Sequence, residues 1–89
     1  MATLFYRHKV TDYPAWRKVY DEFDSVRPSF AVTSHGVYQS DENPNDVTGY
    51  HEFNSMAEAK AFANSKELRE AMEKAGVVGA PDIWFANRV

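Results

Sequence analysis

The chain has 89 residues, 44% of them hydrophobic and 15% aromatic, with a net charge of −3 and an isoelectric point of about 5.5. That length makes one domain, residues 1–89, with a modest core, and an acidic balance without a basic stripe argues against nucleic acid as a partner. The absence of cysteine excludes disulfides and thiol catalysis, and no apolar run approaches the roughly 18 residues of a membrane span.

The opening Met1-Ala2-Thr3-Leu4-Phe5-Tyr6-Arg7-His8 runs straight into a strand pattern. It lacks the basic segment and long apolar stretch of a signal peptide, so a cytoplasmic protein is expected. The first strand is predicted over residues 2–10. Asp12 then offers an N-cap and Pro14 falls in the first helical turn, where its missing N–H costs nothing. Trp16, Val19, Tyr20, Phe23 and Val26 share one helical face, and the helix is expected to stop before Pro28.

A second strand is predicted over residues 32–39 and a third over 47–53, joined as a hairpin by the turn formers Ser40-Asp41-Glu42-Asn43-Pro44-Asn45-Asp46. Asp41, Glu42 and Asp46 lack calcium-loop spacing, and the turn is expected to be solvated. Ser55-Met56-Ala57-Glu58 has the pattern of a capping box. The apolar set Ala59, Phe62, Ala63 is out of phase with the next set, Leu68, Ala71, Met72, Ala75. A second helix broken at Asn64-Ser65 is therefore predicted, with Ser65 capping the new segment and Gly76 closing it as a left-handed residue. Residues 77–80 read as a loop and 81–88 as the last strand.

The order β-α-β-β-α-β, with right-handed crossovers, gives an α+β domain of the ferredoxin-like kind: a four-stranded antiparallel sheet with both helices on one face. Leu4-Phe5-Tyr6 and Ile83-Trp84-Phe85 are unbroken apolar triplets. Successive strand side chains alternate between faces, so both faces of the sheet need cover. Two helices cover one face, and a homodimer through the other sheet face is the simplest way to cover the second.

With this layout the whole chain resembles the dimeric α+β barrel superfamily, among small proteins labelled antibiotic biosynthesis monooxygenase-like or provisionally called cyclases. The residues that carry the resemblance are Leu4-Phe5-Tyr6-Arg7-His8-Lys9-Val10, the stretch from Asp12 to Phe23, and the ending Gly76-Val77-Val78-Gly79-Ala80-Pro81-Asp82-Ile83-Trp84-Phe85. The resemblance implies a hydrophobic small molecule as ligand. It covers cofactor-free oxygenases of phenols and quinols, haem-degrading enzymes and polyketide cyclases, so fold does not fix function. Haem-degrading relatives ligate haem through a helical histidine. Neither helix here carries one, so no haem is expected, and no other cofactor.

Candidate chemistry centres on three strand histidines. Parity places His51 with Val47, Gly49 and Phe53 on the helix-facing side, and His8 with Leu4, Tyr6 and Val10 on the same side. Buried imidazoles need partners and titrate near neutrality, so His51 and then His8 are the candidate general bases. The face of His35 is ambiguous. If it pairs across the hairpin with His51, a three-histidine metal site becomes conceivable. The histidines share no short ligand spacing, and no metal is expected. Tyr6, Trp16, Tyr20, Phe23, His35, Phe62 and Met72 are candidate substrate contacts in a cavity between sheet and helices. Trp84 is a further candidate, pointing to the partner subunit or to a pocket at the dimer interface. Arg7 and Lys9 fall on the opposite face, with Glu52 as the expected partner.

The function expected is that of a small-molecule enzyme, a cofactor-free monooxygenase or cyclase acting on an aromatic or polyketide-like substrate with histidine as general base. The alternatives are a non-catalytic binding or carrier protein and a module whose only role is to dimerise.

Overall fold

The computed structural model describes residues 1–89. Its elements are β1 (Ala2–Val10), α1 (Tyr13–Glu22), 3-10 turns at Phe23–Ser25 and Arg27–Phe30, β2 (Ser34–Gln39), β3 (Asp46–Phe53), α2 (Met56–Ala63), α3 (Lys66–Lys74) and β4 (Val77–Asn87). The four strands form one antiparallel sheet in the order β2-β3-β1-β4. The helices pack on one of its faces, which is the ferredoxin-like arrangement. No helix is long and apolar enough to cross a membrane.

Local chemistry sets the helix ends. The Asp12 side chain accepts from the Ala15 N–H at 3.2 Å, and Pro14 sits in the first turn of α1. The α-helical part ends at Glu22. The chain keeps winding as 3-10 turns, with Pro28 inside the second, until Ala31 takes a left-handed φ of 61°. Pro28 therefore does not end the coil. It starts a turn whose first N–H groups need no internal partner. Ser55 caps α2 through the Glu58 N–H and donates to the Glu58 carboxylate. Ser65 donates to the Phe62 carbonyl and accepts from the Leu68 N–H, ending one helix and starting the next. The predicted break in the second helix is present at that residue. Gly76 closes α3 at φ 77°.

The core lies between the sheet and the helices. Leu4, Phe53, Phe62, Val47 and Ala59 are all but fully buried there, with Trp16 and Tyr20 of α1 over them. Two expectations need correction. Residues 77–80 are not a loop, because Val77 and Val78 already pair with Val10 and Lys9. Between Arg7↔Asp82 and Lys9↔Val78 the register shifts, so Gly79, Ala80 and Pro81 form a bulge, with Gly79 at φ 70°. A bulge bends a strand without ending its ladder. Second, Arg7 pairs with Asp46, not Glu52. Its Nε and Nη2 donate to the two carboxylate oxygens at 3.1 and 2.7 Å, while Glu52 is taken by Arg88 at 3.0 Å. Trp84 lies on the outer face, the side on which a partner subunit was expected, and stacks on Phe5 with ring centroids 5.7 Å apart.

Candidate functional site

The sheet presents Tyr6 and His8 from β1 and His51 from β3 toward the helices, because side chains two apart share a face. Opposite them stand Trp16, Val19 and Tyr20 of α1, Phe62 of α2, and Leu68, Ala71 and Met72 of α3. These residues, with Leu4, Phe23, Arg27, Ala75, Pro81 and Ile83, enclose a cavity. Its volume is ≈ 60 Å³, and it opens to solvent. That is below the usual range of small-molecule sites, about 300–1,000 Å³.

Gly49 makes part of this space. It stands opposite Tyr6 in the β1–β3 register, and the Tyr6 ring lies directly over it. A Cβ at Gly49 would fall 2.2 Å from the phenolic oxygen, so only glycine lets the ring lie flat on the sheet. The Tyr6 ring is 5.2 Å from His8 and 6.0 Å from His51, centroid to centroid.

Four buried polar atoms around the cavity have no hydrogen-bond partner from the protein: the Tyr6 hydroxyl, both ring nitrogens of His8, and Nδ1 of His51. His8 is 7% exposed and His51 4%. Burial pushes the His8 imidazole down to about 4. Burial, then the Arg27 cation, then His35, push His51 down to about 3. Both rings are therefore neutral at pH 7. Burial raises the Tyr6 phenol above its ordinary value, and it stays protonated.

Behind His51 runs a polar chain. Arg27 is 4% exposed. Its Nε donates to His51 Nε2 at 3.1 Å and its Nη1 to Asp24 at 2.6 Å. Its guanidinium lies 4.1 Å over the Tyr20 ring, a cation–π contact. Tyr20 and His35 Nδ1 are hydrogen-bonded, and His35 Nε2 is 3.4 Å from Asp24. His35 is the cross-strand partner of His51, with the two rings stacked at 5.6 Å and 18°. That register settles the face of His35. Burial, followed by Arg27, lowers its affinity for a proton.

Of the residues read from the sequence, the cavity wall brings together His8, His51, Tyr6, Trp16, Tyr20, Phe23, Phe62 and Met72. His35 touches His51 and Tyr20 but does not line the wall, and Trp84 belongs to the other face of the sheet. No group of three or more His, Asp or Glu side chains is placed to hold a metal ion. Sequence reading missed Arg27, Leu68, Pro81 and Ile83. Arg27 did leave a signal, being the one Lys, Arg, Asp or Glu between Asp24 and Asp41. An isolated charge in a stretch that otherwise reads as apolar or small is a candidate for burial.

The fold, a ferredoxin-like four-stranded sheet with helices on one face, is the one found in solved structures named as antibiotic biosynthesis monooxygenases. A protein from Nitrosomonas europaea, provisionally named as such a monooxygenase, superposes with a TM-score of 0.79 at 10% identity, over 100% of this chain and 99% of that one. A similarly named Caulobacter crescentus protein gives 0.79 at 15% identity, over 99% and 89%. SnoaB of Streptomyces nogalater, described as a cofactor-independent oxygenase, gives 0.75 at 9% identity, over 99% and 94%. At these identities the likeness is one of fold. No protein-family model matches the chain, and no curated protein matches it.

Proposed function

We propose that this protein is a small-molecule enzyme, a cofactor-free monooxygenase or cyclase for a flat, hydroxylated aromatic or polyketide-like substrate, with histidine moving the substrate's proton. The observation that carries this is the set of four buried polar atoms without a protein partner on Tyr6, His8 and His51, side chains that line an otherwise apolar, aromatic-walled cavity. Leaving a buried polar group unpaired costs about 1–3 kcal/mol. A fold that keeps Tyr6, His8 and His51 in that state leaves their pairing to whatever fills the cavity. The presence of the same fold in a protein described as a cofactor-independent oxygenase supports the choice of chemistry.

Removal of a phenolic or enolic proton gives an electron-rich anion. With oxygen as co-substrate, a phenol ring C–H becomes a carbonyl. One oxygen atom enters the ring and the other leaves as water, so four electrons pass from ring to O₂ and no further reductant is required. Without oxygen, the same anion closes a ring by aldol addition. In both cases the walls hold the ring flat and exclude water. Trp16, Tyr20 and Phe62 supply the flat surfaces.

The test is oxygen uptake and ligand binding across a panel of naphthols and hydroquinones, with His51→Ala and His8→Ala beside the parent protein. Turnover lost with affinity retained supports the enzyme. Binding without turnover of any member replaces it with a binding or carrier protein. No binding at all removes the small-molecule reading.

The functional unit we propose is a homodimer through the outer face of the sheet. Tyr50, Phe5 and Trp84 stand in register across β3, β1 and β4, and Gly36 of β2 makes room for the Tyr50 ring, which would lie 2.7 Å from a Cβ there. Trp84 is 47% exposed and Tyr38 65%. A row of aromatic side chains on an open face suits association with a copy of itself.

A further inference from the structure

We infer that Arg27 is a positioning residue that holds His51 with its proton on Nδ1, so that His51 offers the cavity a hydrogen-bond donor and His8 the free imidazole lone pair. The ligand this selects is an aromatic molecule bearing both a carbonyl oxygen and a hydroxyl group. The inference rests on the small-molecule reading of the cavity and assigns different jobs to its two histidines.

A guanidinium has only N–H groups and cannot accept a hydrogen bond. The His51 nitrogen that faces Arg27 Nε at 3.1 Å must therefore present its lone pair. In a neutral imidazole the proton is then on the other nitrogen, the Nδ1 that has no protein partner. Arg27 has little freedom to give way. Asp24 holds its Nη1 and the Tyr20 ring centre lies 4.1 Å from its guanidinium carbon.

The other imidazoles are accounted for differently. His35 Nδ1 is engaged by Tyr20 and its Nε2 faces Asp24. His8 has neither nitrogen engaged, so it keeps both an N–H and a lone pair. A histidine committed as donor cannot serve as general base from that nitrogen. The proton of a bound hydroxyl goes toward His8, and a carbonyl or developing oxyanion goes to His51 Nδ1–H. This is the geometry in which a fixed donor stabilises charge that forms during reaction.

The test uses long-range ¹H–¹⁵N NMR of the histidine rings at pH 7, which reads the tautomer directly. The expected result is a single His51 form protonated on the nitrogen away from Arg27. Arg27→Met keeps a similar stem but no donor, and His51 shifts to a mixture of tautomers. Arg27→Lys, which still donates, restores the single form. Titration with 4-hydroxyacetophenone is expected to move the Nδ1–H resonance of His51, with affinity about tenfold weaker in Arg27→Met, the worth of one hydrogen bond. Wild-type His51 protonated toward Arg27, or a tautomer unaltered in a folded Arg27→Met protein, overturns the inference. If Arg27→Met does not fold, the wild-type tautomer decides alone. A His51 resonance that stays still up to the solubility limit of the ligand overturns its ligand half. A fixed tautomer and a bound ligand without turnover would instead remove the enzyme reading and leave this inference standing.

Discussion

The two faces of the sheet treat their polar groups in opposite ways. On the outer face the arginines are matched, Arg7 with Asp46 and Arg88 with Glu52, around the aromatic row of Tyr50, Phe5 and Trp84. On the helix face the histidines and Tyr6 are buried and four of their polar atoms have no protein partner. The first pattern limits which surfaces can dock there. The second leaves bonding capacity for a guest. Burial alone does not mark a site; burial without satisfaction does.

Acid should separate the faces most strongly. His8 and His51 have folded affinities near 4 and 3, below the unfolded value of about 6.5. The unfolded chain thus binds more protons as pH falls through that window. The stability tied to neutral rings is complete above about pH 6.5 and declines as pH drops toward the folded values. At about 1.4 kcal/mol per unit, each ring costs about 2 kcal/mol by pH 5, a large share of a small domain's stability. The outer pair behaves otherwise. The bond from Arg7 holds Asp46 below the usual carboxylate range, so its contribution persists until more acid conditions. Circular-dichroism melts from pH 8 to pH 4 should show the loss beginning near 6.5, and His51→Phe should weaken that slope.

Gly49→Ala attacks the helix face through the backbone. The new methyl must push the Tyr6 ring off the sheet, at about 1–3 kcal/mol for overpacking, and into the cavity. Lower denaturation midpoint and lost ligand binding are expected together; binding unchanged would show that Tyr6 is not a wall of the site.

His8→Phe sharpens the contrast from the other side. It replaces an unpaired buried ring with an apolar one, and the protein is expected to gain about 1–2 kcal/mol while losing turnover. A melting temperature that falls would mean that His8 is bonded within the fold. The smallest effect on folding is expected for Trp84→Lys, which removes the stack on Phe5, about 1 kcal/mol. Sedimentation equilibrium should then report monomer for the variant against the dimer proposed for the parent, with the cavity's ligand affinity little altered.

Particular elements show how far sequence could be read. The β-α-β-β-α-β order followed from periods of two and 3.6 and from turn residues, and the break at Ser65 followed from a phase change in the apolar pattern together with a capping serine. Parity placed His8, Tyr6 and His51 on one face because a strand's alternation is local. Residues 77–80 misled because Gly79 and Pro81 are loop formers by composition, while pairing with β1 absorbs them as a bulge. Arg7 was given the wrong acid because cross-strand reach depends on diagonal geometry, and Asp46 is the partner that lies within it.

By itself, the sequence determined the order of the elements, the helix caps and the facing of β1, β3 and β4, since these depend on residues a few positions apart. The tertiary structure alone decided that Arg27, on a 3-10 turn, donates to His51 on β3, and that Tyr6 lies over Gly49. Those contacts join residues 24 or more positions apart, and only the closing of the helices onto the sheet sets their distances and selects the proton's place on the ring.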